Sequence, residues 1–381
     1  MRIGFDATNI LGHGGIKTYA RELVRGLALG FPEDSFLLLT TFSASKKDSL
    51  RAVFHGIKNV EVYGALPHVR MFGRRLYPAA RLLGTVMWRR ASRDLDLVHL
   101  TDPYGTAALP RRFVSTVHDL FPLTREEYAG TALEEDYRRR TPVILKRSIA
   151  VITPSSYIRD QLLDMYPESG SPVVAVPEAA SDLFSPCPPD PVLLRRHRLE
   201  AEGYFLHVGR FDPRKNITRL IAAYRELPEG IRSSLRLVLV ISGRPSDLDA
   251  LALGQGDMIA GGELVLLRDI PLHELRMLYA SATAFVFPSL DEGFGLPLLE
   301  AMSTGCPVIT SNLSCIPETA GDGAMLVDPE SVRDISEAMA IMARQPDRRL
   351  FYSSRGLSRS GEFSWERTAA ETMEVYRAAL S

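Results

Sequence analysis

Cysteine is scarce in this chain: Cys187, Cys306 and Cys315 are the only three in 381 residues. Three thiols cannot all pair, and none sits at metal-ligand spacing. A disulfide scaffold and a structural zinc site are therefore excluded, and reduced thiols are expected. No run of 18 apolar residues occurs, which excludes a membrane-spanning helix. The opening MRIGFDATNI enters a strand directly without a signal-peptide pattern, so a cytoplasmic location is expected. An excess of charge is missing too. With 45 basic residues against 46 acidic ones, bulk charge gives no reason to expect a nucleic-acid partner. No internal repeat at a solenoid period is visible.

What is present is core. A chain of 381 residues with 45% hydrophobic content suggests about two domains. Short apolar runs predict strands at Arg2–Ala7, Phe36–Thr41, Val60–Tyr63, Leu97–Thr101, Phe113–Val117, Ile149–Thr153 and Val173–Val176. They resume at Tyr204–Val208, Leu235–Ile241, Glu263–Leu267, Ala284–Phe287, Pro307–Thr310 and Ala324–Val327. Helical patterns fall between them, for example Ile16–Leu29 and Ser156–Met165. This alternation predicts an α/β protein with two doubly wound parallel sheets. The proline-rich stretch Pro177–Pro191 reads as a linker. The expected domains are 1–185 and 200–363, with a final helix over 364–381.

The stretch Ala284–Pro329 is the most informative. An apolar strand ends at Pro288 and opens into a glycine-rich loop holding Glu292. A helix follows near Leu296, with Pro297 in its first turn, where a missing N–H costs nothing. The free amides of such a helix start make an anion site, and Glu292 and Glu300 flank it. A phosphate at the amides with carboxylates accepting from hydroxyls describes a nucleotide-sugar pocket. A second glycine loop, Leu11-Gly12-His13-Gly14-Gly15, follows the first strand. It is not G-x-G-x-x-G, which disfavours a dinucleotide. A third segment, His207-Val-Gly209-Arg210-Phe-Asp-Pro-Arg-Lys215-Asn216, places two cations between a strand and a helix. An arginine fork and a lysine point charge suit phosphate oxygens. His118 ends an apolar run, where doubly wound folds bind ligands. His99 lies mid-strand and reads as structural.

The spacing of Glu292 and Glu300 within PSLDEGFGLPLLEAMSTGCPVI resembles the E-x7-E signature of retaining glycosyltransferases of the GT-B fold, and its surroundings resemble glycosyltransferase family 4. The resemblance implies two Rossmann-like domains with a cleft between them. The N-terminal one would serve the acceptor and the C-terminal one the nucleotide-sugar donor, with the last helix packing back on the N-terminal domain. It implies that His118, Glu292, Arg210 and Lys215 serve the chemistry. Glu300 would accept from the ribose hydroxyls. Gly14, Gly15 and the backbone of Phe294, Gly295 and Leu296 would hold the diphosphate, and the turn at Ile270 the base. No cofactor and no metal are expected. The opening GFDATNILGHGGIKTYAREL looks most like bacterial mannosyl- or rhamnosyltransferases of surface polysaccharide assembly. A hexosyltransferase using GDP-mannose is therefore the first expectation, with a glycan or lipid-linked glycan as acceptor.

Two rival readings share these residues. A UDP-sugar epimerase of the same architecture would need catalytic carboxylates in the N-terminal domain, and none is identifiable. A non-catalytic nucleotide-sugar-binding protein is disfavoured by intact Glu292, Glu300, Arg210 and Lys215. The pairs Asp94/Asp96 and Asp247/Asp249 have the D-x-D spacing of a metal site but sit at no glycine loop. The segment Arg70–Arg93 holds seven arginines and no acid, interleaved with apolar residues. That composition suits peripheral contact with an anionic membrane, at the inner face of the cell membrane. It equally suits a helix with snorkelling arginines.

Overall fold

The structure, a computed structural model, describes residues 1–7, 10–11, 14–41, 44–66, 86–87, 90–105, 109–243 and 245–381. The chain divides into two compact units, the first Met1–Glu178 with Trp365–Ser381, the second Ala179–Ser364. Of the basic segment Arg70–Arg93, residues 70–85 and 88–89 lie outside the described residues. No helix among the described residues is long and apolar enough to cross a membrane.

The first unit is built on β1 (Arg2–Asp6), β2 (Ser35–Thr41), β3 (Val60–Leu66), β4 (Leu97–Leu100), β5 (Phe113–Thr116), β6 (Ala150–Thr153) and β7 (Val173–Ala175). They form one sheet in the order β3-β2-β1-β4-β5-β6-β7, parallel throughout. Strands β4, β5 and β6 are buried at every residue, and their polar members His99, Ser115, Thr116 and Thr153 are each hydrogen-bonded. The helix Gly15–Gly30 buries Tyr19, Ala20, Leu23, Val24, Leu27 and Ala28, a stripe at helical spacing. It packs on the last helix, Trp365–Leu380. A Cβ at Gly26 would lie 2.8 Å from the Trp365 carbonyl oxygen, so glycine permits that approach.

The second unit contains β8 (Tyr204–Arg210), β9 (Arg236–Ser242), β10 (Leu264–Leu267), β11 (Ala284–Phe287), β12 (Val308–Ser311) and β13 (Met325–Val327). Their order is β10-β9-β8-β11-β12-β13, again all parallel. One face buries Leu206, Val238, Phe285 and Phe287 with Leu298 and Leu299; the other buries Phe205, Leu237, Leu239, Val286 and Ile309. Every predicted strand is present, with ends differing by a few residues. The first unit ends at Glu178, ahead of residue 185, because the proline-rich stretch packs on the second. Phe184 is buried against Tyr279 at 5.9 Å, and Arg276 donates to the Ser185 and Pro186 carbonyls at 2.9 and 3.0 Å.

In each sheet the strand order reverses once near the middle, between β1 and β4 in the first and between β8 and β11 in the second. Loops leaving neighbouring strands at such a point diverge and leave a crevice at the carboxyl ends. In the second unit those loops begin at Phe211 and at Pro288.

Candidate functional site

The loop after β8 is shaped by its own sequence. The Asp212 carboxylate accepts from the Arg214 N–H at 3.0 Å and opens a 3-10 turn over Pro213–Lys215. Asn216 adopts a left-handed conformation, φ 58°. Its side-chain amide donates to the carbonyls of Pro288 (3.0 Å) and Pro329 (2.6 Å), pinning this loop to the one that follows β11. The turn directs Lys215 onto Glu292, with Nζ and Oε1 2.5 Å apart. The Ser289 hydroxyl reaches the same carboxylate oxygen at 2.5 Å. Only 10% of the Lys215 side chain and 9% of that of Glu292 is exposed. Nζ also lies 5.1 Å from the centre of the Phe287 ring. A buried ion pair is tolerated only when its remaining polar atoms are satisfied, and Ser289 contributes to that. Arg210, by contrast, is exposed at the end of β8 and makes no ion pair among the described residues. Two nominal cations are thus one neutralised and one open.

The loop after β11 leads into the helix Leu296–Ser303. Gly295 precedes that helix with φ 96°, and a Cβ there would lie 3.0 Å from Ile316 Cδ1, so the position requires glycine. No side chain caps the helix start, so the positive end of the helix dipole meets no side-chain acceptor; Pro297 has no N–H, and the Leu298 N–H donates to the Gly295 carbonyl at 2.9 Å, which leaves the Leu296 amide as the helix donor for an anion. The loop is held from behind: Ser314 Oγ accepts from the Glu292 N–H (3.3 Å), and Thr319 Oγ1 donates to the Phe294 carbonyl (2.8 Å). The side chains of Phe294 and Leu296 belong to the core, so only their backbones can serve a ligand. On the second turn of the helix, Glu300 accepts from the Tyr279 hydroxyl at 3.2 Å. Burial pushes its carboxyl up to about 7, and the Tyr279 hydrogen bond offsets only part of that. Ile270 follows Asp269, which is left-handed at φ 53°, and packs partly buried against the same core.

In the first unit, Gly14 precedes the helix Gly15–Gly30 with φ 118°, and no side chain caps that start. Gly12 and His13 lie outside the described residues. Both ring nitrogens of His118 are engaged: Nε2 with the Thr101 carbonyl at 2.9 Å, and Nδ1 with Glu178 Oε1 at 3.1 Å. Burial alone would lower its pKa, but the Glu178 hydrogen bond and charge and the Thr101 carbonyl together raise it above the ordinary value. The Tyr19 ring stands edge-on to His118 at 4.7 Å. Behind it runs a buried chain in which Tyr19 meets Thr116 (2.9 Å), Thr116 meets His99 (2.8 Å) and His99 meets Tyr376 (2.6 Å). Burial pulls the His99 pKa down to about 3, so this ring is neutral.

Other candidates do not join these groups. Asp96 accepts from the Arg2 N–H at 2.7 Å, and the Asp247 side chain lies outside the described residues. Among the described residues no three metal-type side chains cluster. Sequence reasoning missed Ser289, Tyr279, Tyr19, Thr116 and Glu178. Serine, threonine and tyrosine carry no local signal of such roles, and Glu178 sits in a stretch whose prolines read as linker.

Residues 13–180 match the family described as Glycosyltransferase Family 4, and residues 194–357 match Glycosyl transferases group 1. The chain is 32% identical over 372 residues to the O-antigen chain mannosyltransferase B of Escherichia coli, covering 95% of this chain and 96% of that one. It is 28% identical over 247 residues to the O-antigen chain mannosyltransferase RfbU of Salmonella typhimurium, covering 64% of each. Among solved structures, sucrose-phosphate synthase from Thermosynechococcus elongatus superposes with a TM-score of 0.75 at 20% identity, covering 99% of this chain and 98% of that one. WaaG, a glycosyltransferase of lipopolysaccharide biosynthesis, superposes with a TM-score of 0.71 at 17% identity, covering 98% and 99%. At such identities the structures speak to the fold.

Proposed function

Because the chain belongs to glycosyltransferase family 4, we propose that it moves a mannosyl residue from GDP-mannose to a hydroxyl of a lipid-linked glycan, with retention of anomeric configuration. The observation that carries this reading is the buried Lys215–Glu292 pair at the reversal point of the second sheet, beside the uncapped start of the helix Leu296–Ser303. A diphosphate suits that helix start, and Arg210 and Lys215 supply cations whose value grows as the leaving group gains charge. Glu292 is assigned to the donor sugar, Glu300 to the ribose hydroxyls and the Ile270 turn to the base. Gly14, Gly15 and His118 are the first unit's proposed contributions to holding the donor. With two cations and a helix dipole available, no divalent metal is required in this scheme. The mannosyl donor and glycan acceptor rest on the relatives in Escherichia coli and Salmonella typhimurium, both described as O-antigen chain mannosyltransferases. Contact of Arg70–Arg93 with an anionic membrane belongs to the same proposal, since a lipid-linked acceptor sits at a bilayer.

The test is a panel of GDP-, UDP- and TDP-sugars offered with a lipid-linked glycan acceptor, the product anomer being read by NMR. Transfer from GDP-mannose with an α-linked product is the expected result. Transfer from another donor alone overturns the donor assignment, and an inverted product overturns the stereochemical one. Interconversion of a free UDP-sugar without acceptor would make the protein an epimerase.

A further inference from the structure

We propose that Glu178 is a positioning residue that holds His118 as a doubly protonated imidazolium, so that this histidine acts as a fixed cation and not as a proton acceptor. The activity part of this inference rests on the transferase reading above; the charge state does not. The argument is one of hydrogen-bond inventory. A neutral imidazole has one N–H and one bare nitrogen. His118 faces two oxygens that have no proton to give: the Thr101 carbonyl at 2.9 Å from Nε2 and the Glu178 carboxylate at 3.1 Å from Nδ1. A neutral ring would turn a lone pair against one of them. A single proton shared between imidazole and carboxylate rests on the imidazole, the stronger base. The surroundings agree with that charge. Only 12% of the His118 side chain and 5% of that of Glu178 is exposed, so solvent screens the pair weakly. Among the described residues, the other titratable groups beside the ring are Tyr19 from the helix Gly15–Gly30, His99 on β4 and Asp119 next in the chain, whose charge also favours the imidazolium. His99 is neutral and Tyr19 is pushed further above its ordinary value by burial, so neither competes for the proton. The raised pKa of His118 points the same way.

The consequence is chemical. With both N–H groups committed, the ring has no lone pair to accept a proton from an attacking hydroxyl. What it offers at the carboxyl end of β5 is a positive charge held in place from two sides, by the end of β4 and by the segment after β7. Glu178 sits in a stretch that reads as linker, which gives it no expected role.

Glu178→Gln separates charge from shape. The glutamine amide can donate to Nδ1, so a neutral ring keeps both hydrogen bonds and its place. His118 in the full chain is followed by NMR of ring-labelled histidines, its signal assigned by its loss in His118→Asn. In the wild type it is expected to titrate above the ordinary 6.5, and in Glu178→Gln to fall to that value or below. With donor saturating at each pH, turnover of Glu178→Gln is expected to fall by about tenfold more from pH 6 to 8 than that of the wild type, the donor KM of the two proteins keeping the same pH dependence. Glu178→Asp, which keeps the charge, should retain a raised titration. A wild-type His118 that titrates at its ordinary value overturns the proposal, and that measurement needs no variant. An unshifted titration in Glu178→Gln, or a pH profile no steeper than that of the wild type, overturns it as well. A raised His118 titration in a protein that transfers no sugar would leave the pair standing and remove the transferase reading instead.

Discussion

Lys215→Ala should damage this protein in two ways that can be measured apart. The ammonium it removes is the cation hydrogen-bonded to a carboxylate whose side chain is only 9% exposed. Truncating one partner of a buried pair leaves an uncompensated charge, at a cost of roughly 3–5 kcal/mol. Ser289 still reaches the same oxygen of Glu292 and Ser314 still holds its backbone, which argues for the lower end, about 3 kcal/mol. For a domain of this size that corresponds to a drop in Tm of roughly 6–12 °C. Lys215→Ala/Glu292→Gln removes both charges and leaves a glutamine that Ser289 can still bond. It should recover most of the lost stability, because the expensive state is the lone buried carboxylate and not the missing pair. Turnover should follow another course. Loss of a positioned cation from the transition state costs on the order of 3 kcal/mol, about a hundredfold, and the double variant should not regain it. Donor affinity should fall less, since Arg210 and the helix start remain. Calorimetric melting, calorimetric donor titration and steady-state kinetics on both variants give the answer. A Lys215→Ala protein that melts with the wild type would show that no buried charge was stranded. A double variant that recovered turnover along with Tm would reduce Lys215 to a scaffold for Glu292. A defect lying wholly in donor affinity would refute the transition-state role.

Donor affinity should rise from pH 6 to 8. Burial lifts the folded Glu300 carboxyl to about 7, so it is largely neutral at the lower pH and an acceptor for two ribose hydroxyls at the higher one. Glu300→Gln should flatten that slope, and an unchanged slope in the variant would exclude Glu300 as its source. Transfer should survive a chelator, because Arg210, Lys215 and an uncapped helix start already meet the diphosphate's charge; a complete loss restored by added metal would contradict this. Sedimentation with anionic vesicles should fall when Arg74, Arg75, Arg89 and Arg90 become Glu, each arginine at a surface being worth about 1 kcal/mol. Unchanged sedimentation would favour a purely structural role for the segment.

The strands were legible because a parallel strand covered on both faces can carry apolar residues without interruption. Ala284–Phe287 is buried and apolar at every position and announces itself in sequence. The glycine loop was legible for a different reason. At Gly295 a positive φ coincides with a neighbouring side chain, and only one residue type satisfies both. What could not be read was pairing at a distance. Lys215 and Glu292 are 77 positions apart and were assigned to separate tasks, phosphate and sugar. They meet because β8 and β11 are neighbours in the sheet, a fact set by strand order and by no local pattern. His118 and Glu178, 60 positions apart, meet through β5, β6 and β7 in the same way. The His99–Tyr376 bond spans 277 positions and depends on the last helix returning to the first unit.

The pairing of Lys215 with Glu292 also bears on how the proposed reaction would begin. Either charge alone would be expensive to bury beside Phe287, and together they are tolerated. Before a donor arrives the pair is neutral, and Arg210 stands exposed at the end of β8 with no ion pair among the described residues. A diphosphate would meet Arg210 and the helix start first and then compete with Glu292 for Lys215. As the bond to the sugar breaks, negative charge grows on the diphosphate and positive charge on the sugar ring. The lysine then gains a partner of increasing charge on one side, and the carboxylate gains one on the other. Both interactions are worth more in the transition state than in the resting pair, which is the condition for accelerating a reaction. A permanently unpaired lysine would bind the donor more tightly but would exert most of that attraction in the ground state. On this argument Glu292→Gln, which frees Lys215 without removing it, should tighten donor binding while lowering turnover. If donor binding weakens in that variant, the contact of Glu292 with the donor sugar outweighs its restraint of Lys215 in the ground state, and the argument fails.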